Sequence, residues 1–140
     1  MASFILIICI SLWSHVMSVQ KWDQYELTIK GPSSGNPFVD TELFADFSNN
    51  DQTFHVRGFY DGEGIYKVRF MPIAIGLWTY VTSSNIDSMN NVKGSFNATS
   101  PTGNNRGPIV ADRSNNKSFI YLETKESFFQ TGMTVPLALM

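Results

Sequence analysis

The sequence has a single cysteine, Cys9, and only two histidines, His15 and His55, among its 140 residues. One cysteine excludes an intrachain disulfide, and the chain lacks the Cys/His spacing of a metal site. Charged residues make up 16% of the chain and the net charge is −2, so the basic surface of a nucleic-acid-binding protein is missing. We therefore expect no disulfide framework, no cofactor and no nucleic-acid partner.

Long hydrophobic runs are also missing. The first nineteen residues contain no Asp, Glu, Lys or Arg, and their apolar run, Phe4 to Trp13, is about half as long as the roughly 20 residues that span a bilayer. This length suits a secretory signal peptide, and the small residues Val16 and Ser18 predict cleavage after Ser18. Residues 1–18 are thus predicted to be removed, which leaves a secreted protein without a membrane span. The alternative is a buried N-terminal strand or helix.

From Lys21 onward no apolar stripe has the 3.6-residue period of a helix. Short runs alternate with period two and are separated by turn residues every 8 to 12 positions, which predicts an all-β protein of about seven to eight antiparallel strands in a sandwich. The predicted strands include the runs at 25–29, 38–47, 53–60, 65–70, 77–82, 94–99, 108–111 and 119–122. In the run 38–47, Val39, Leu43, Ala45 and Phe47 are expected to share one face.

Two acidic residues separate the runs at 53–60 and 65–70. The turn consists of Asp61, Gly62, Glu63 and Gly64. Glycine tolerates positive φ, which a tight hairpin needs. A shared face for Tyr60 and Tyr66 requires an odd number of loop residues, three or five. A glycosidase-like carboxylate pair and a calcium site are the alternatives, but a pair on an open turn lacks apolar walls to separate two pKa values, and the ligand spacing of an EF-hand is missing.

The face of this hairpin opposite its apolar side carries four basic residues: His55, Arg57, Lys67 and Arg69. Either allowed register sets Arg57 opposite Lys67 or Arg69, and facing like charges cost stability. Glu42 and Asp46 are the acids expected to offset them. This surface is interpreted as a solvated salt-bridge ladder, as a docking surface for another domain, or as a carbohydrate or anion site.

Aromatic residues are plentiful, at 14% of the chain, and sugar-binding modules stack sugars on exposed rings. Trp78 and Tyr80 lie two apart and therefore on one face of a strand, where a core position and a sugar-stacking platform are both open. Trp22 is expected to be partly exposed. The candidate aromatic contacts are thus Trp22, Trp78 and Tyr80. Asn97 and Asn116 each begin an N-glycosylation tripeptide that a eukaryotic host would recognise.

No nucleophile elbow, phosphate-cradling loop or HExxH helix is present. Five segments together resemble one family: 36–38 (NPF), 58–62 (GFYDG), 66–70 (YKVRF), 76–80 (GLWTY) and 105–108 (NRGP). This family is the immunoglobulin-like N-terminal β-sandwich domain, of unknown function, that precedes the (β/α)-barrel of secreted, apiosidase-like glycoside hydrolases. The resemblance covers roughly residues 21–134, and residues 119–134 resemble the passage into the barrel.

This resemblance implies a sandwich domain at 19–112, followed at 113–140 by linker strands and the truncated start of a barrel. In that family the barrel supplies the catalytic carboxylates, so no residue here is assigned a catalytic role and the chain is not expected to be an enzyme. Three hypotheses remain. The chain is an accessory module whose barrel partner is missing, a stand-alone carbohydrate-binding or adhesive domain, or a small enzyme.

Overall fold

The computed structural model describes residues 17–50, 52–115 and 117–131. Within these ranges the regular structure is almost entirely β. A one-turn helix, α1, spans Pro37–Asp40, and a 3-10 turn spans Asp87–Met89. The strands are β1 (Met17–Gln20), β2 (Tyr25–Lys30), β3 (Leu43–Asn49), β4 (Gln52–Arg57), β5 (Phe59–Gly62), β6 (Ile65–Phe70), β7 (Gly76–Ser84), β8 (Lys93–Thr99), β9 (Ile109–Ala111), β10 (Phe119–Tyr121) and β11 (Ser127–Phe128). No described helix is long and apolar enough to cross a membrane.

Two facing sheets form a sandwich. Sheet A has the strand order β1-β8-β7-β3-β4 and sheet B the order β2-β6-β5. The period-two alternation is realised in β2, where Tyr25, Leu27 and Ile29 are buried and the residues between them are not. Eight strands in two packed sheets confirm the predicted all-β sandwich. The strands are not all antiparallel, however, because β1 pairs with β8 in parallel.

Aromatic side chains from both sheets fill the core. The rings of Phe47 and Phe70 stack with centroids 4.4 Å apart, and those of Tyr25 and Phe96 stack at 3.9 Å. Trp78 is completely buried. Such interdigitation of two inner faces is what holds a sandwich together, and the large area of each ring supplies most of the buried apolar surface.

The predicted strand 38–47 was wrong in its first half. Pro37 occupies the first turn of α1, where its fixed φ favours a helix, and the Asp40 carboxylate accepts a hydrogen bond from the Asn36 amide at 2.9 Å. Val39 is consequently 73% exposed instead of sharing the core face. The strand begins only at Leu43.

The predicted strand 53–60 is divided between the two sheets. Residues before Gly58 form β4, which pairs with β3 in sheet A, whereas residues after it form β5, which pairs with β6 in sheet B. The Gly58 amide donates to the Leu43 carbonyl at 2.7 Å. A Cβ on Gly58 would lie 2.8 Å from Leu43 Cδ2 and 3.0 Å from the Lys67 carbonyl oxygen. The chain therefore crosses between sheets at a position with room only for glycine.

Strand β1 lies at the edge of sheet A, with Met17 paired to Phe96 and Gln20 paired to Thr99. The predicted cleavage point after Ser18 falls within this strand, so processing there would leave Val19 and Gln20 of β1. The rest of the predicted signal peptide, including Cys9, lies outside the described residues. The signal peptide remains a prediction.

A third sheet, sheet C, has the order β11-β10-β9. It pairs Phe119 with Ala111 and with Phe128, and thus joins residues on both sides of the predicted domain boundary between 112 and 113. The predicted truncated start of a barrel extends into residues 132–140, which lie outside the described part of the chain.

Candidate functional site

The acidic turn is a hairpin with an added bulge. Tyr60 pairs with Tyr66, so five residues separate them, as the odd loop count requires. The tight turn itself is Glu63-Gly64, both with positive φ, and the register shifts between Tyr60 and Gly62. The Asp61 carboxylate lies 2.7 Å from Lys67 Nζ. Among the described residues, no three acidic, His or Cys side chains are grouped as a metal site would need.

The four predicted cationic residues do not form one surface. His55 and Arg57 lie on the outer face of sheet A, whereas Lys67 and Arg69 lie on the outer face of sheet B. Arg57 pairs in register with Phe44, so the predicted opposition of Arg57 to Lys67 or Arg69 was wrong. The physical reason is the crossing at Gly58, which sends β4 to one sheet and β5 to the other.

On sheet B the charges form an alternating ladder. Glu26 binds Arg69 Nε at 2.8 Å and Lys67 Nζ at 3.1 Å, and Lys67 also binds Asp61. Hydrogen bonds from Arg69 and then Lys67 hold the pKa of Glu26 below its ordinary value. The Asp61 carboxylate, followed by Glu26, raises the pKa of Lys67. Because these groups are solvated, each pair contributes little to stability. The offsetting acids on this sheet are Glu26 and Asp61, where Glu42 and Asp46 were expected.

On sheet A, Asp46 does meet a basic residue as predicted. Its carboxylate lies 2.6 Å from His55 Nδ1, and the His55 ring stacks on Phe44 with centroids 4.7 Å apart. The pair is about half exposed. The hydrogen bond to Asp46 and the stacking on Phe44 together fix the orientation of the His55 ring on the outer face of sheet A.

The three predicted aromatic contacts occupy different environments. Trp78 is fully buried and its Nε1 donates to the Ala74 carbonyl at 2.9 Å, so it is a core residue and cannot stack a sugar on the surface. Tyr80 is partly buried against Tyr25, and the centroids of their rings lie 6.0 Å apart. Burial, followed by a hydrogen bond with Tyr80, raises the pKa of Tyr25. Of the three, Trp22 alone lies outside this core.

Trp22 joins the sandwich to sheet C. Its Nε1 donates to Glu123 at 2.6 Å, Lys21 binds the same carboxylate oxygen at 2.8 Å, and Lys21 Nζ lies 4.7 Å from the Trp22 ring centroid. Trp22 has φ +70°, a region that a bulky residue adopts only when its surroundings impose it. Gly107 packs on the ring: a Cβ there would lie 3.1 Å from Trp22 Cδ1. Gly107, within the segment 105–108, is thus part of the contact that joins Trp22 to sheet C.

This junction is expected to weaken in acid. The hydrogen bond from Lys21, followed by the one from Trp22, lowers the pKa of Glu123. A carboxylate with a lowered pKa in the folded protein contributes fully above its ordinary pKa, and the contribution is lost as pH falls through the folded value. We expect the Trp22 indole N–H resonance to shift only below that ordinary pKa, as followed by NMR. The Glu123→Gln variant should show no such titration, and an unchanged resonance down to about pH 2 in the wild type would contradict the assignment.

A small aromatic pocket lies beside the Gly58 crossing, and the sequence did not point to it. Its floor includes Leu43, its aromatic walls are Phe38 and Tyr60, and Arg57 is exposed at its rim. The Phe59 ring points to the outer face of sheet B, where the Arg69 guanidinium lies 4.8 Å from its centroid. The cavity measures about 270 Å³. Phe38 is 72% exposed and meets the Tyr60 ring edge-on at 5.2 Å. The exposure of a phenylalanine on a one-turn helix could not be predicted from a run interpreted as a strand.

Sheet C bears a larger, more apolar cavity of about 710 Å³. Val110, Ile120 and Leu122 line it, with Arg113 and Lys125 at the polar side. On the opposite face Phe119 and Ile109 are nearly half exposed. Both faces of this sheet thus present apolar side chains to solvent in the described part of the chain.

The two predicted glycosylation sites are not equally defined. Asn97 lies exposed on β8, opposite Leu77 of β7. Asn116 lies outside the described residues. Glycosylation at both remains a prediction.

Comparison with other proteins found a family model that matches part of the chain and a solved structure that is similar to it. Residues 18–85 match a domain of unknown function, DUF5060. No curated protein matches significantly. The crystal structure of a protein from Bacteroides vulgatus ATCC 8482, described as a putative glycoside hydrolase, is similar with a TM-score of 0.74 and 39% sequence identity. The match covers 81% of this chain and 21% of the Bacteroides chain. The chain is therefore similar, over most of its own length, to about one fifth of a larger protein.

Proposed function

We propose that this chain is a non-catalytic accessory β-sandwich module of a larger, secreted carbohydrate-active enzyme of the glycoside hydrolase class. The observation that carries the proposal is the unequal coverage of the match. At 39% identity, most of this chain corresponds to a small part of the Bacteroides protein. In this proposal the module is the immunoglobulin-like domain that precedes the (β/α)-barrel of apiosidase-like hydrolases.

Within the residues that the structure describes, both faces of sheet C expose apolar side chains, which supports a docked partner. A sheet buries its apolar face against a second layer of structure, yet Phe119 is 45% exposed on one face and the cavity bounded by Ile120 is open on the other. The Trp22–Glu123 contact holds this sheet to the sandwich. We assign sheet C to the interface with the catalytic barrel.

Three carboxylates have pKa shifts opposite to the one that the general acid of a glycosidase needs. A general acid of a glycosidase needs a raised pKa so that it keeps its proton near neutral pH. Hydrogen bonds shift the pKa in the opposite direction at Glu26, Asp112 and Glu123. The stand-alone carbohydrate-binding domain remains the second candidate, because the aromatic pocket presents an exposed Phe38 ring.

Association in trans tests the proposal. The full chain is mixed with the Bacteroides protein expressed without the part that this chain resembles, and binding is measured by isothermal titration calorimetry. We expect a stable complex that the Phe119→Ser variant weakens about tenfold or more, as the loss of an interface hot spot does. The control is Leu77→Ser, which removes a similarly exposed apolar side chain from sheet A and should not weaken binding.

The transcript provides a second test. We expect the reading frame to continue past Met140 into a hydrolase domain. A stop codon at that point, together with no association in trans, would contradict the accessory role and favour the stand-alone domain. Hydrolysis of a glycoside by the pure chain would favour the small enzyme instead.

A further inference from the structure

The aromatic pocket combines features that a ligand site needs. Phe38 lies nearly perpendicular to the Tyr60 ring, and its side chain is largely exposed, so its ring is accessible to a ligand. The Tyr60 hydroxyl accepts a hydrogen bond from the Gly64 amide at 3.1 Å, so the hairpin fixes the position of the Tyr60 ring. The Tyr66 hydroxyl donates to the Pro32 carbonyl at 2.8 Å and lies 3.2 Å from Thr41 Oγ1. The walls are therefore preformed, as in most small-molecule sites.

Arg57 differs from the other basic residues of its group. His55 binds Asp46, Lys67 binds Glu26 and Asp61, and Arg69 binds Glu26. Within the described residues, Arg57 has no carboxylate within ion-pair distance, although it is exposed at the rim of the pocket. Asp61 binds Lys67, and the Asp40 carboxylate accepts a hydrogen bond from the Asn36 amide. A guanidinium left without an anion beside a preformed aromatic wall is suited to a ligand carboxylate, which it can bind through two parallel hydrogen bonds.

We propose that the aromatic pocket binds a uronic acid residue of an acidic polysaccharide, with the sugar ring packed on Phe38 and its carboxylate on Arg57. One face of a pyranose ring presents C–H groups, and these pack on the electron-rich face of an aromatic ring. The cavity of about 270 Å³ has the size of a single ring. The anionic group is inferred from Arg57, whereas the choice of a sugar rests on the proposed function.

A titration with hexagalacturonate tests this site. The full chain is observed by NMR and calorimetry, and the fully methyl-esterified hexamer serves as a probe of the same size without the negative charges. We expect binding of the acid and at least tenfold weaker binding of the ester, because a hydrogen bond to a charged group is worth about a tenfold change in affinity. Signals of Phe38 and Tyr60 should shift.

Paired variants separate the contributions of the two residues. Arg57→Gln should weaken binding of the acid about tenfold and leave the ester unchanged, and Phe38→Ala should weaken both. Both side chains are exposed, so the fold should be retained, which the amide spectrum checks. The matched controls are Arg113→Gln, an exposed arginine beside sheet C, and Val39→Ala, the exposed neighbour of Phe38. Neither control should alter binding.

Three results would overturn the proposal. Equal binding of the acid and the ester would contradict the role of Arg57. Binding of neither hexamer would contradict the existence of the site. If Phe38→Ala leaves sugar binding intact but weakens association with the hydrolase remainder, the pocket is an interdomain surface. Because these titrations use the chain alone, their failure leaves the accessory role standing, and failure of the association test leaves the sugar site standing.

Discussion

The Trp78→Ala variant is expected to lose about 3–5 kcal/mol of the free energy of unfolding, a large part of the stability of a domain of this size. Trp78 is completely buried, and its ring lies 4.9 Å from Phe70 and 6.0 Å from Phe54 by centroid distance. Truncation would leave a cavity between the sheets and would remove the hydrogen bond from Nε1 to the Ala74 carbonyl.

Urea unfolding followed by circular dichroism measures this loss. Leu77→Ala is the matched control, because Leu77 precedes Trp78 on β7 but is 56% exposed on the outer face. Exposed substitutions usually change stability by less than about 0.5 kcal/mol. A Trp78→Ala variant that unfolds within about 1 kcal/mol of the wild type would show that this core is not packed as described.

The Gly58→Ala variant is expected to lose about 1–3 kcal/mol, the usual cost of overpacking. A new Cβ would meet Leu43 Cδ2 at 2.8 Å, Leu43 Cγ at 2.9 Å and the backbone oxygen of Lys67 at 3.0 Å. Leu43 is buried and the oxygen belongs to a central strand of sheet B, so neither can move freely. The substitution would also displace the floor of the aromatic pocket.

A double-mutant cycle with Leu43→Ala identifies the contact responsible. Leu43→Ala removes both side-chain atoms that the new Cβ would meet, so the double variant should be more stable than the sum of the two single losses predicts. The expected coupling is about 1 kcal/mol or more, within the range for residues in contact. Strict additivity in urea unfolding would place the strain elsewhere in the crossing.

Local patterns were sufficient where one face of a strand meets the core. The alternation in β2, β6 and β7 depends only on which neighbouring side chains are buried, and Leu27, Val68 and Trp78 lie inside. The tight turn at Glu63-Gly64 follows from the same local chemistry, because a glycine accepts positive φ at little cost.

Features that depend on distant segments were not predicted. Gly58 has an ordinary place in an apparently continuous strand, and only the packing of Leu43 and Lys67 around it shows why the chain changes sheets. The position of Arg57 opposite Phe44 follows from that crossing. The aromatic pocket combines Phe38 from a one-turn helix with Tyr60 from a strand in another part of the sequence, so no local motif marks it. Pro37 was the one local signal of the helix.

The Trp22 junction has a consequence for the order in which the chain assembles. Trp22 and Lys21 bind Glu123, which follows them by 101 and 102 residues. Contacts of such long sequence separation form late in folding, and a chain emerging from the ribosome offers its N-terminal residues first. One of the earliest corners of the sandwich to be synthesised is thus completed only after the segment that contains Glu123, 101 residues beyond Trp22, has been added. A nascent chain that stalls before Glu123 would hold Lys21 without its carboxylate and Trp22 without its hydrogen-bond acceptor.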